Sequence, residues 1–155
     1  MKRGMSFEIP NKYGSFLWEV LKPFEITEYV WTSGGEESYI VVNEELKEPL
    51  FPEVINGMDG LLLRELLEEN KHYLIFVNLQ AYPKGKNSFR IEKYEEFVNS
   101  DCQLVLLVVD SAYVTIYCKD NAKLESLYQN AKLKDFNNLQ YITDENDTRT
   151  RLSVW

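Results

Sequence analysis

The chain contains few of the residues from which most metal and catalytic sites are built. Its 155 residues include one histidine, His72, and two cysteines, Cys102 and Cys118. Zinc sites need several Cys or His ligands at short spacings, so we predict no metal site and two reduced, buried thiols. No nucleophile motif accompanies His72, and no Walker A, Rossmann, G-x-S-x-G or H-E-x-x-H pattern occurs. The sequence therefore predicts no catalytic residue and no cofactor.

The chain also lacks a long hydrophobic run. The longest purely apolar run is 104–109, far short of the about 20 residues that cross a bilayer as a helix. The basic pair Lys2 and Arg3 is followed by Glu8 rather than by the apolar segment of a secretory signal. We therefore expect a cytoplasmic protein with no membrane partner.

Basic residues are scarce in one part of the chain. The formal net charge is −8. Residues 36–70 contain ten carboxylates against Lys47 and Arg64, so this stretch alone accounts for the excess. A nucleic-acid partner is disfavoured because phosphates bind to basic faces, whereas a basic protein would be attracted. The alternative is that the acidity serves solubility alone.

The chain length fits one domain, 1–155. Hydrophobic periodicity predicts elements in the order β-α-β-β-α-β-α-β-β-α-β-β. The predicted strands are 5–9, 26–31, 39–42, 74–79, 104–109, 113–118, 139–143 and 151–155. The predicted helices begin at Ser15, at Asp59, near Tyr94, and at Asp120 or Asn121. This order predicts an α+β fold, a largely antiparallel sheet with helices on one face.

Some finer features follow from the same pattern. The strands 26–31 and 39–42 are predicted to form a hairpin, and residues 43–56 an irregular packed connection. The final strand is predicted to pair at a sheet edge. A helix–hairpin–helix–strand unit then occurs twice, at about 15–80 and about 92–143, which suggests a duplication.

The helix that begins at Asp59 carries the first candidate site. Its apolar face is predicted to consist of four leucines: Leu62, Leu63, Leu66 and Leu67. Three carboxylates, Glu65, Glu68 and Glu69, face away from that stripe. We predict that they bind a basic partner protein, because the acidic stretch is concentrated around them.

The segment 144–151 is the second candidate. Asp144, Asn146 and Thr148 have the i, i+2, i+4 spacing of a calcium loop, but Arg149 replaces the glycine that such loops require. The sequence favours a tight turn in which Asp147 pairs with Arg149 or Arg151. The alternative is a ligand site formed by Asp144, Asp147 and Arg149.

Three segments carry a family resemblance: 1–14 (MKRGMSFEIPNKYG), 113–120 (YVTIYCKD) and 141–151 (YITDENDTRTR). They resemble a small bacterial domain-of-unknown-function family of spore-forming firmicutes. The resemblance covers the whole chain and implies a bacterial cytoplasmic origin, but it assigns no activity, cofactor or site residue.

Two functions remain open. The first is a protein-binding module, such as an immunity- or antitoxin-like partner of a basic protein. The alternative is a small-molecule-binding domain or minor enzyme with a polar site around 144–151. The oligomeric state is left open.

Overall fold

A computed structural model describes residues 1–33, 37–51, 57–86, 88, 90–152 and 154. The strands are β1 (Lys2–Glu8), β2 (Tyr29–Ser33), β3 (Glu37–Val42), β4 (Glu45–Pro49), β5 (Met58–Asp59), β6 (His72–Pro83), β7 (Leu104–Val109), β8 (Tyr113–Cys118) and β9 (Asn137–Thr143). The helices are α1 (Phe16–Leu21), α2 (Gly60–Glu69), α3 (Tyr94–Asn99) and α4 (Asn121–Leu133). The fold class is α+β, as the sequence predicts.

The strands form one sheet in the order β4-β3-β6-β7-β8-β1-β9, with β2 also on β6 and β5 on β2. All of these strand pairs are antiparallel. The predicted strand 104–109 is β7, which lies between β6 and β8. Because apolar side chains cover both faces of a central strand, β7 has no polar alternation.

The alternating side chains of β7 divide the buried residues into two cores. Leu104, Leu106 and Val108 point into the larger core, which the buried faces of α1, α2 and α4 complete. Val105 and Leu107 point into a smaller core. The smaller core also contains side chains from α3 and from the C-terminal residues, namely Phe97, Leu152 and Val154. Helices α1, α2 and α4 therefore pack on one face of the sheet, and α3 packs on the other.

The predicted hairpin of strands 26–31 and 39–42 is wrong. Residues 26–28 form a 3-10 turn, and β2 and β3 both pair with the twelve-residue β6. Ser33 lies opposite Leu79 and Ser38 opposite Leu74, so the two strands share one register along β6. The first predicted unit of the duplication therefore lacks its hairpin, while the second contains β7 and β8. Gly34 and Gly35, which lie between the two predicted strands in the sequence, are outside the described residues.

The connection predicted to be irregular contains a hairpin instead. Strand β4 pairs with β3 across the two-residue turn Asn43–Glu44. Both turn residues have positive φ, 53° and 62°, which is the conformation of a type I′ turn. Asn43 was therefore a usable turn signal, although no glycine follows it.

The C-terminal residues also differ from the prediction. Arg151 bridges to Lys93, and the N–H of Leu152 donates to the carbonyl of Glu92 at 2.8 Å. The side chains of Leu152 and Val154 are buried. Among the described residues of 151–155 the predicted edge strand is wrong, because Arg151 bridges to Lys93 and the side chains of Leu152 and Val154 cover the second apolar face of the sheet.

The two cysteines are free and buried, as predicted. Cys102 lies in the smaller core and Cys118 in the larger one, so they are on different faces of the sheet. Burial raises the pKa of Cys102 to about 12 and that of Cys118 to about 11. Both thiols are therefore poor nucleophiles at neutral pH.

Among the described residues, no three His, Cys, Asp or Glu side chains are grouped as metal ligands. None of the helices that the structure describes is both long and apolar enough to cross a bilayer.

Candidate functional site

Helix α2 begins as the sequence predicts. The side chain of Asp59 accepts a hydrogen bond from the N–H of Leu61 at 3.0 Å, which caps the first turn. Leu63 and Leu67 are fully buried, and Leu66 packs partly against the larger core. Leu62 is 40% exposed, so its predicted place on the buried face is wrong. The buried stripe is narrower than predicted because Leu63, Leu66 and Leu67 already fill the contact with the core.

The three predicted glutamates of α2 are exposed. Arg64 donates to Glu68 at 3.3 Å, whereas Glu65 and Glu69 have no ion-pair partner among the described residues. Glu65 and Glu69 are four residues apart, a spacing at which like charges destabilise a helix. The last turn contains no basic residue, although the negative end of the helix dipole lies there. The free protein therefore keeps these charges at a cost in stability.

Two carboxylates of residues 36–70 form ion pairs with lysines that lie outside this stretch of the sequence. Lys71 lies 3.0 Å from Glu44, and Lys84 lies 3.9 Å from Asp59. Glu36 and Glu53 lie outside the described residues. Fewer carboxylates of this stretch therefore lack a basic partner than the sequence count indicates. Those on α2 lie closest together.

The exposed side of α2 is not purely polar. Leu61 is 54% exposed and Leu62 is 40% exposed. Leu61, Glu65 and Glu68 follow one another at helical spacing, so apolar and acidic side chains share one face of the helix. We call this exposed side of α2, with Leu61, Leu62 and the three glutamates, the acidic face.

Replacing Glu69 with lysine is expected to stabilise the protein by about 0.5–1 kcal/mol. The variant converts a repulsive pair with Glu65 into an attractive one and places a cation at the helix C-terminus. Urea unfolding of the Glu69→Lys variant measures the change. Glu48→Lys, the same charge change at an exposed position on β4 and away from any helix end, is the control and should differ little from the parent. A Glu69→Lys variant no more stable than the parent would contradict the cost assigned to these charges.

The second candidate segment is organised by a residue that the sequence analysis did not select. Arg3 on β1 donates through Nε to Asp144 at 2.8 Å and through Nη1 to Asp147 at 3.3 Å. The guanidinium carbon of Arg3 lies 4.3 Å from the ring centroid of Tyr94. Arg3 thereby joins the beginning of the chain to the turn after β9.

Asp147 is the buried member of this cluster, with its side chain only 7% exposed. It accepts hydrogen bonds from the Tyr117 hydroxyl at 3.0 Å and from the backbone N–H of Arg149 at 3.1 Å. Among the described residues, the ion pair of Asp147 is with Arg3, whereas the sequence predicted Arg149 or Arg151. Burial and the adjacent Asp147 raise the pKa of Tyr117. The hydrogen bond from Arg3 lowers the pKa of Asp144.

The structure thus brings Asp144 and Asp147 together and places Arg149 beside them. Asp144 borders one surface groove, and Asp147 and Arg149 border a second. The sequence analysis missed Arg3 and Tyr117 because their contacts with this segment depend on the pairing of β1 with both β8 and β9. No local motif signals such a contact.

The chain belongs to the bacterial family described as "Protein of unknown function (DUF2691)", which it matches over residues 2–153. It is 49% identical over 154 residues to "Uncharacterized protein YncE" of Bacillus subtilis strain 168. That match covers 99% of this chain and 100% of the relative. No solved structure matches the chain. The family match confirms the resemblance carried by segments 1–14, 113–120 and 141–151.

Proposed function

We propose that this protein is a protein-binding module whose acidic face binds a cationic segment of another protein. The observation that carries the proposal is the pair Glu65 and Glu69, exposed at i, i+4 spacing with no basic partner among the described residues. A lysine- or arginine-rich segment would remove the repulsion that the free helix tolerates. The proposal therefore gives a reason for keeping charges that oppose the stability of α2.

The exposed leucines define the remaining chemistry of the partner. Leu61 and Leu62 offer apolar area beside the carboxylates, so the partner segment should carry an apolar residue near its cations. The carboxylates should act mainly on the association rate, since exposed charges steer encounter more than they add affinity. A finer form of the proposal is an immunity- or antitoxin-like protein that blocks a basic protein. The small size and the net charge of −8 support it.

The test is capture of partners from the native cell extract at low ionic strength. The immobilised parent protein is compared with the triple variant Glu65→Lys, Glu68→Lys, Glu69→Lys. The expected result is a cationic protein that the parent retains and the triple variant does not. Circular dichroism and thermal unfolding establish that the variant is folded.

A matched control separates the acidic face from net charge. The variant Glu92→Lys, Glu95→Lys, Glu145→Lys makes the same charge change at three exposed positions outside α2. It should retain the captured protein. Equal loss in both triple variants would mean that only net charge matters, and capture that neither variant changes would remove the acidic face as the site.

A further inference from the structure

The protein has a basic groove despite its net negative charge. This groove, about 280 Å³ in volume, lies between β1, α3 and the end of β8. Among the described residues that line it, the side-chain cations are Lys2, Arg3 and Lys119, and the side-chain carboxylate is Asp144. We call it the basic groove. A second groove of about 360 Å³ shares Arg3 and Tyr94 with it.

Two of the three cations of the basic groove already have close partners. Arg3 holds Asp144 and Asp147, and the Nζ of Lys2 lies 3.8 Å from the ring centroid of Tyr141. The charge of Arg3 is therefore compensated by carboxylates before any ligand arrives, whereas Lys2 contacts a neutral ring.

Lys119, like Lys2 and unlike Arg3, faces no carboxylate within ion-pair distance among the described residues. Its Nζ donates to the carbonyl of Ser100 and lies 5.0 Å from the ring centroid of Phe97. Partial burial lowers the pKa of Lys119, because its charged form is poorly hydrated there. A cation held against a neutral carbonyl and an aromatic ring retains its attraction for an anion.

The other wall of the basic groove is apolar. Tyr94 and Phe97 are neighbours on α3, with ring centroids 5.9 Å apart, and both border the groove. Val98 also borders it and is 52% exposed. Phe97 itself is buried, so the accessible part of this wall is Val98 and the partly exposed Tyr94. The groove thus combines cationic side chains with an apolar wall, as many small-ligand sites do.

We propose that the basic groove binds a small organic anion. The anionic group lies between Lys119 and Arg3, and the apolar or ring-bearing part lies against Tyr94 and Val98. The cations match the anionic group and the apolar wall matches the rest of the ligand. This site is separate from the acidic face and does not depend on the function proposed for it.

The experiment titrates the protein with phenyl phosphate, benzoate, inorganic phosphate and phenol, and follows backbone amide shifts by NMR. Phenyl phosphate or benzoate is expected to shift the amide signals around Lys119 and Tyr94 until binding saturates. Its affinity should be higher than that of inorganic phosphate or phenol. Preference between the first two distinguishes phosphate esters from carboxylates. Shifts absent from the groove, or equal binding of phenol, would overturn the proposal.

Two charge-removing variants, one of a cation and one of a carboxylate, should change the affinity in opposite directions. A general loss of stability would weaken binding in both. Lys119→Gln should weaken binding about tenfold by removing a charge-assisted contact. Asp144→Asn should strengthen it, because the side-chain carboxylate of the groove is neutralised. Lys12→Gln, at an exposed position after β1, should leave the affinity unchanged. If Lys119→Gln and Lys12→Gln behaved alike, or Asp144→Asn weakened binding, the anion would not occupy this groove.

Discussion

The Gly60→Ala variant is expected to be about 3 kcal/mol less stable than the parent protein. A Cβ at Gly60 would lie 2.1 Å from the carbonyl oxygen of Ile26 and 2.6 Å from that of Tyr29. Both atoms belong to the backbone, and the fully buried Trp31 donates through Nε1 to the Ile26 carbonyl at 3.0 Å. The turn therefore cannot withdraw without losing a buried hydrogen bond. The helix propensity gained with alanine, about 1 kcal/mol, offsets only part of this cost.

Urea unfolding of Gly60→Ala and Leu61→Ala provides the comparison. Leu61 is the next residue along α2 and is more than half exposed, so its truncation should cost less than about 1 kcal/mol. Because Gly60 lets the first turn of α2 approach the 3-10 turn, it also fixes where the acidic face stands. Equal stability of the two variants would mean that α2 is not held against that turn.

Acidification is expected to destabilise the protein through His72. This side chain is fully buried; its Nδ1–H donates to the carbonyl of Asn70 at 3.1 Å, and its Nε2 has no partner among the described residues. Burial lowers the pKa of His72 from 6.5 to about 4. Between these two pH values the unfolded chain binds a proton that the folded protein does not. Stability is therefore unaffected by His72 above pH 6.5 and falls by about 3 kcal/mol as the pH drops to about 4.

The variant His72→Asn isolates this contribution. Asparagine keeps a side-chain donor for the carbonyl of Asn70 but does not titrate. The free energy of unfolding of both proteins is measured from pH 7.5 to about pH 4. Carboxylates contribute equally to both, so the stability of the parent relative to the variant should decline only below pH 6.5. Parallel curves over the whole range would show that His72 is not buried in its neutral form.

The sequence was most informative where the determinants are local. The bounds of β7 and β8 follow from an apolar run and a neighbouring alternation, and Asp59 and Asp120 accept the backbone hydrogen bonds that begin α2 and α4. Helix caps and strand alternation depend on residues a few positions apart, so a single sequence displays them.

Pairing between distant segments could not be read in this way. Whether β3 returns on β2 or continues beside β6 depends on the length of β6, whose twelve residues offer ladder positions to both. The burial of Leu152 and Val154 depends on the apolar second face of the sheet. The strand-like alternation of the C-terminal segment therefore identified Leu152 and Val154 as buried, but not the residues against which they pack.

The two candidate sites show the same division. The exposure of Glu65, Glu68 and Glu69 follows from helical spacing and is present in the structure. The surroundings of Asp147 do not follow from any local pattern. Arg3 is 144 positions away and reaches Asp147 only through the pairing of β1 with β9. Sequence reasoning could select the polar segment but not the cation that organises it.

The most direct test of the acidic face is the salt dependence with which the captured partner binds. Association with the parent protein is measured at low ionic strength and at about 0.3 M salt, where exposed charges are strongly screened. The parent should associate much faster at low salt than at high salt, and so should the control variant with Glu92, Glu95 and Glu145 replaced by lysine. The Glu65, Glu68 and Glu69 reversal should bind weakly at both. Binding by that variant as fast and as salt-sensitive as the parent's would contradict the proposal that α2 is the binding surface.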